Sequence, residues 1–112
     1  MAISLAFNGD KIATDQQGYL LDHTLWQEAI AVVMAKNDEF ELTKAHWEVI
    51  TFVRQFYLTY NTSPAIRALT KAMKAEFGED KASSRYLFKL FPDGPAKQAT
   101  KYAGLPKPKR CL

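Results

Sequence analysis

TKAHWEVITFVRQFYLTYNTSPAIRALTKAMKAEFG, residues 43–78, decides the fold class. After Thr43, which can cap a helix, apolar side chains recur at three- and four-residue spacing in two adjoining stripes. One is Trp47, Ile50, Val53 and Tyr57; the other is Val49, Phe52, Phe56 and Tyr60. The period is helical, and so wide an apolar arc predicts the central, most buried helix. Asn61-Thr62-Ser63-Pro64 breaks the pattern and restarts it, with Ser63 as N-cap and Pro64 at the first helical position. Gly78 closes this next helix, whose apolar face is Ile66, Leu69, Met73 and Phe77.

Towards the N-terminus, Thr24 followed by Gln27 is a capping-box pattern, and Trp26, Ala29, Ile30, Val33 and Met34 continue at helical spacing to about residue 36. Before it, Ile3, Leu5 and Phe7 alternate up to Asn8-Gly9-Asp10, and a second turn surrounds Gln17-Gly18. Asn-Gly supplies the positive φ of a tight turn, so a short β-hairpin or edge strand is expected. Towards the C-terminus, a helix over about 81–91 should bury Tyr86, Leu87, Leu90 and Phe91, and a short one should run from Pro95 to about Ala103, ending at Gly104. The expectation is a mainly α protein. It is a small orthogonal bundle of about five helices, helix-turn-helix-like at its middle, with an N-terminal β-hairpin.

Leu105-Pro-Lys-Pro-Lys-Arg-Cys-Leu112 cannot continue the last helix, because its two prolines lack backbone donors and bias their predecessors to extended geometry. The division predicted is therefore a domain over 1–104 and a mobile arm over 105–112. Eight extended residues reach roughly 25 Å, enough to enter another protein's active site. Charge divides at nearly the same place: residues 95–112 hold Lys97, Lys101, Lys107, Lys109 and Arg110 with no side-chain acid, whereas the rest of the chain carries ten basic residues against twelve acidic. No apolar run spans a bilayer and no export signal is seen, so a cytoplasmic protein without a membrane partner is expected.

The single cysteine, Cys111, sits on this arm beside Arg110 and near Lys109. Neighbouring cations favour the thiolate, and a thiolate at the end of an arm suits a carrier of sulfane sulfur. It does not suit a self-contained hydrolase, which needs a base held against the nucleophile; His23 and His46 read as cap or core neighbours instead. One cysteine and two histidines in no ligand spacing predict no metal site, and no cofactor is called for. Arg67, Lys71 and Lys74 share a helix face and would be the contact surface of a DNA-binding helix-turn-helix, but a net charge of +3 is weak for that role and direct DNA binding is not expected.

The segment from Tyr86 to Pro108, YLFKLFPDGPAKQATKYAGLPKP, followed by a penultimate cysteine, resembles the DsrC/TusE family of sulfur-relay proteins. The likeness extends to Gly18-Tyr19-Leu20 and His46-Trp47. Members that work with dissimilatory sulfite reductase carry a second arm cysteine eleven positions earlier, where this chain has Thr100. The resemblance is therefore to the single-cysteine, TusE-type branch rather than to an accessory subunit of a sulfite-reductase-like enzyme. It implies a sulfurtransferase whose Cys111 forms a persulfide intermediate. Sulfur would come from a TusBCD-like donor complex and pass to an MnmA-like tRNA thiouridylase, which acts on tRNA, for 2-thiouridine at the wobble position. Lys107, Lys109 and Arg110 would form a basic, partner-binding sleeve around that cysteine.

Overall fold

The computed structural model describes residues 3–107, with side chains from Ser4 onward. Two strands, β1 (Ile3–Phe7) and β2 (Asp10–Thr14), pair antiparallel with Phe7 opposite Asp10 and Leu5 opposite Ile12. Asn8 (φ 51°) and Gly9 (φ 83°) make the two-residue turn with both central residues left-handed, the geometry that matches the strands' twist. The following turn is held by Asp15, whose carboxylate accepts from the backbone N–H of Gln17 (2.8 Å) and Tyr19 (3.0 Å). Leu20 then returns to bridge Thr14 and is buried.

The helix expected from Thr24 begins later. Residues His23–Leu25 form one 3-10 turn capped by Asp22, whose carboxylate accepts from Thr24 N–H at 3.0 Å and from its hydroxyl at 2.6 Å. These bonds hold the Asp22 carboxyl below its ordinary range. With Thr24 engaged in that cap, Trp26 lies in an extended link, and α1 runs from Glu28 to Asn37, burying Ile30, Ala31, Met34 and Ala35. Just beyond α1, Glu39 is a non-glycine residue at φ 55°, after which Phe40 N–H returns to the Ala35 carbonyl at 2.8 Å.

Helix α2 (Lys44–Tyr60) starts as the sequence indicates, although the reciprocal partner of Thr43 is a histidine. Thr43 N–H donates to His46 Nδ1 (3.0 Å), so Nδ1 is the acceptor, and Nε2, 2.8 Å from the Leu90 carbonyl, carries the proton. His46 is thus both cap and core neighbour, edge-on to Phe40 and Phe91. Only the first half of α2 is deeply buried, at His46, Val49, Ile50 and Val53; Tyr60 at its far end is 64% exposed.

Asn61 (φ 56°) terminates α2. Helix α3 (Ile66–Phe77) does not take Ser63 as N-cap or Pro64 as first residue: Ala65 holds the cap position and Pro64 is buried. Gly78 (φ 90°) ends α3 as expected. A 3-10 turn at Glu79–Lys81 precedes α4 (Ser84–Leu90), which is shorter than anticipated because Ser83 caps it by accepting from Tyr86 N–H. Lys81 reaches back to Glu48 on α2 at 2.9 Å, a bond that raises the lysine's pKa.

Helix α5 (Pro95–Tyr102) is the hub of the bundle, not α2. It packs against α1, α2, α3 and α4, and Ala96, Ala99, Thr100 and Tyr102 are all buried. Short side chains at three of those positions let four helices approach its backbone closely, which a wide aromatic stripe such as that of α2 would prevent. Among the described residues no helix is long and apolar enough to cross a membrane.

Candidate functional site at the root of the C-terminal arm

Of the residues singled out for chemistry, Cys111, Lys109 and Arg110 lie outside the described residues, and Lys107 is the last described one, exposed. The structure therefore specifies where the cysteine-bearing segment departs and what surrounds its root. Helix α5 ends in a Schellman motif. Gly104 N–H bonds the Lys101 carbonyl at 3.1 Å, and Leu105 N–H bonds that of Thr100 at 3.2 Å, with Gly104 at φ 74°. Leu105, read from the sequence as the first arm residue, is fully buried, so packed structure extends at least through it.

Two distant side chains clamp this root. Trp26 Nε1 donates to the Tyr102 carbonyl at 2.7 Å, and Arg54 Nη1 donates to the Ala103 carbonyl at 2.8 Å. These two carbonyls belong to the helix end that has no further backbone partners of its own. Arg54 also donates to the His23 carbonyl at 3.2 Å and lies 4.4 Å from the centre of the Trp26 ring. A Cβ on Gly104 would stand 2.1 Å from Trp26 Cδ1, so the indole sits flush on a bare backbone. Neither residue is legible as part of this root in the sequence, where Trp26 falls on a helical stripe and Arg54 carries no signal. His23 sits beside them, edge-on to Tyr57, with Nδ1 buried and without a partner among the described residues.

Residues of α5 and the root also line a cleft of about 630 Å³, whose lining includes Tyr19, Asp38, Lys97, Lys101, Tyr102 and Lys107. Asp38 is its organiser: Oδ2 accepts from Lys101 Nζ at 2.8 Å and from the Tyr102 hydroxyl at 2.9 Å. Tyr19 donates to the Lys97 carbonyl at 3.3 Å. Burial, then the bond to Asp38, pushes the Tyr102 phenol well above its ordinary 10.0. Tyr19 is raised in the same direction, by burial and then by Asp15. A raised phenol stabilises the fold below its unfolded pKa, and that contribution is lost as pH climbs past it. Stability should therefore fall above about pH 10, and Tyr102→Phe should flatten part of the fall; urea midpoints between pH 9 and 11.5 check this.

Thr100 is on no arm. It is fully buried within α5, its hydroxyl donating to the Ala96 carbonyl one turn back. The expected helix face of Arg67, Lys71 and Lys74 exists and is exposed, but Lys74 is partnered by Glu79 at 3.3 Å. Among the described residues no group of three His, Cys, Asp or Glu side chains is close enough to hold a metal ion.

The chain matches the family model described as "DsrC like protein" over residues 6–112. It is 62% identical over 108 residues to the protein named Sulfurtransferase TusE of Pectobacterium atrosepticum, with 96% of this chain and 99% of that protein covered. The protein of the same name in Escherichia coli K12 is 59% identical over 108 residues, with the same coverage. Among solved structures, Allochromatium vinosum DsrC superposes with a TM-score of 0.90 at 47% identity, both chains being fully covered. The oxidized gamma-subunit of dissimilatory sulfite reductase (DsrC) from Archaeoglobus fulgidus does so with a TM-score of 0.87 at 38% identity, over 98% of this chain and all of that one. Sequence match and architecture agree from the hairpin to the root of the arm, and the chain belongs to the DsrC-like family.

Proposed function

We propose that this chain is a sulfurtransferase that works as a persulfide carrier, with Cys111 as the sulfur-bearing residue. Sulfur arrives from a TusBCD-like donor complex and leaves to an MnmA-like thiouridylase, in the cytoplasm, for 2-thiouridine at the tRNA wobble position. The observation that carries this reading is the identity of about 60%, over nearly the whole length of both chains, with proteins named Sulfurtransferase TusE. The content of cysteine agrees with it: one thiol in the chain leaves no partner for an internal disulfide, and position 100 is a sealed threonine.

In the first half-reaction the Cys111 thiolate attacks the outer sulfur of a donor cysteine persulfide. A new S–S bond forms on Cys111, the donor's S–S bond breaks, and the donor cysteine leaves as a thiolate, so no external oxidant or reductant is consumed. Lys107, Lys109 and Arg110 place cations around the reacting anion and favour its ionised form. The second half-reaction is the same displacement at the Cys111 persulfide, with the acceptor's cysteine as nucleophile. The clamp of Trp26, Arg54 and Gly104 fixes the point from which the chain continues towards Cys111, so the short remaining length limits how far from that point a docked partner's cysteine can lie.

The test is reconstitution of the relay with a sulfur-loaded donor, the acceptor enzyme, its nucleotide cofactor and tRNA. Thiouridine measured in digested tRNA should depend on this chain and rise with its concentration. Equal thiolation with the chain omitted would contradict the proposal.

A further inference from the structure

Beside the cleft at the arm root lies a second, more apolar groove of about 480 Å³. Val32 of α1, Phe40 and Leu42 of the following link, and Trp47 of α2 line it, together with the exposed Glu39, Glu41 and Lys36. Phe40 is common to both depressions, so the groove begins where the cleft lined by Lys107 ends. Val32 is 51% exposed on a helix whose opposite face is core, and Trp47 is only half-buried. By spacing alone Trp47 counts as a core residue, whereas Val32 falls outside the apolar stripe of its helix.

We infer that this groove is the docking site for the protein that donates sulfur to Cys111, which presents an apolar side chain flanked by a cation. The inference rests on the carrier reading above and adds the surface to it. Position comes first: Cys111 lies four positions beyond Lys107, a reach of at most about 14 Å. A partner cysteine that meets Cys111 must therefore cover ground next to the arm root. Chemistry comes second: an apolar groove open to solvent is what a buried anchor residue of a protein partner fills, and the two exposed carboxylates in its lining, against one lysine, select a basic neighbour for that anchor. Those carboxylates also disfavour the other partner in the relay, which holds polyanionic tRNA at its active site. Third, Glu39 keeps a left-handed conformation (φ 55°) at the helix end, where glycine is the usual residue. The chain thus holds a carboxylate in the groove lining in a backbone geometry that disfavours it.

The experiment measures binding of the full chain to the donor complex and to the acceptor enzyme by titration calorimetry, for wild type, Val32→Glu and Glu39→Gly. Val32 is exposed and glycine suits the backbone of position 39, so both variants should keep the fold; thermal melts confirm it. Val32→Glu should weaken donor binding roughly tenfold, and Glu39→Gly about threefold, with acceptor binding unchanged. Unchanged donor affinity in both variants, or an equal loss for the acceptor, would overturn the inference. Loading of Cys111 by inorganic polysulfide, which needs no docking, separates the two levels of the account. If wild type takes sulfur from polysulfide but does not bind the donor, the docking inference falls and the carrier reading stands; failure of both removes both.

Discussion

Replacing Cys111 with serine is expected to reduce sulfur transfer through this chain to background while leaving its thermal unfolding unchanged. A thiol near its reference pKa of about 8.5 is roughly one-tenth thiolate at pH 7.5, and adjacent cations raise that fraction. A serine hydroxyl has no comparable anion at that pH, and the arm brings no base to activate one. Nor can an alkoxide hold sulfane sulfur in a bond that an acceptor thiolate cleaves reversibly. Serine replaces one atom by another of similar size, and the effect on stability should stay within about 0.5 kcal/mol. Thiouridine formation in the reconstituted relay and a melting curve on the same preparation check the two halves together. Normal transfer by the serine variant would remove Cys111 from the mechanism.

Gly104→Ala should have the largest effect on the fold, about 3 kcal/mol or more, out of a total that for domains of this size is typically 5–15 kcal/mol. Two causes add. A left-handed backbone at φ 74° costs an alanine about 1 kcal/mol relative to glycine. The new methyl would also stand 2.1 Å from Trp26 Cδ1 and 2.6 Å from Trp26 Cβ. Contact with Cβ means that rotation of the indole cannot relieve the clash. The tryptophan backbone must retreat, and the 2.7 Å bond from Nε1 to the Tyr102 carbonyl is lost, which leaves a helix-end acceptor unpaired at a cost of about 1–3 kcal/mol. A double-mutant cycle isolates the contact. In a Trp26→Gly background the penalty of Gly104→Ala should shrink to the backbone share of about 1 kcal/mol. An undiminished penalty there would show that the indole is not the obstacle. Because the clamp sets the origin of the arm, Gly104→Ala should also slow sulfur transfer at temperatures where the protein is still folded.

The parts of this fold that can be read in the sequence are those governed by local chemistry. Asn8-Gly9 specifies its turn because few other residue pairs take two left-handed conformations in succession. Thr43 starts α2, and Gly78, Pro95 and Gly104 mark helix ends, for reasons contained within a few residues of each. Where two local signals compete, the reading fails. Thr24 and Gln27 match a capping box, but Asp22, two residues before Thr24, captures the threonine first. Ser63-Pro64 is a sound helix start, yet Pro64 is drawn into the core and the helix waits for Ile66. The central place of α5 was hidden for a different reason: alanines carry little hydrophobic signal, and their value lies in how closely other helices can approach.

For the site the division is similar. The proposal of Cys111 as the sulfur-bearing residue rests on the sequence alone, on a single cysteine in a proline-rich, basic segment. The root of that segment depends on contacts between residues 76 positions apart, Trp26 with Tyr102, and 49 apart, Arg54 with Ala103. No spacing rule encodes those. The groove of Val32, Phe40, Leu42 and Trp47 is likewise invisible to periodicity, which counts apolar residues without showing which of them the packing leaves uncovered.

The central claim is that Cys111 carries sulfur as a persulfide, and intact-protein mass spectrometry tests it most directly. The full chain is incubated with a cysteine desulfurase, cysteine and the upstream donor proteins, then weighed before and after treatment with reductant. The account predicts a gain of one sulfur atom, located on the C-terminal peptide, removed by reductant and absent from Cys111→Ser. An unmodified mass, in a mixture where the donor itself is shown to be loaded, would contradict it.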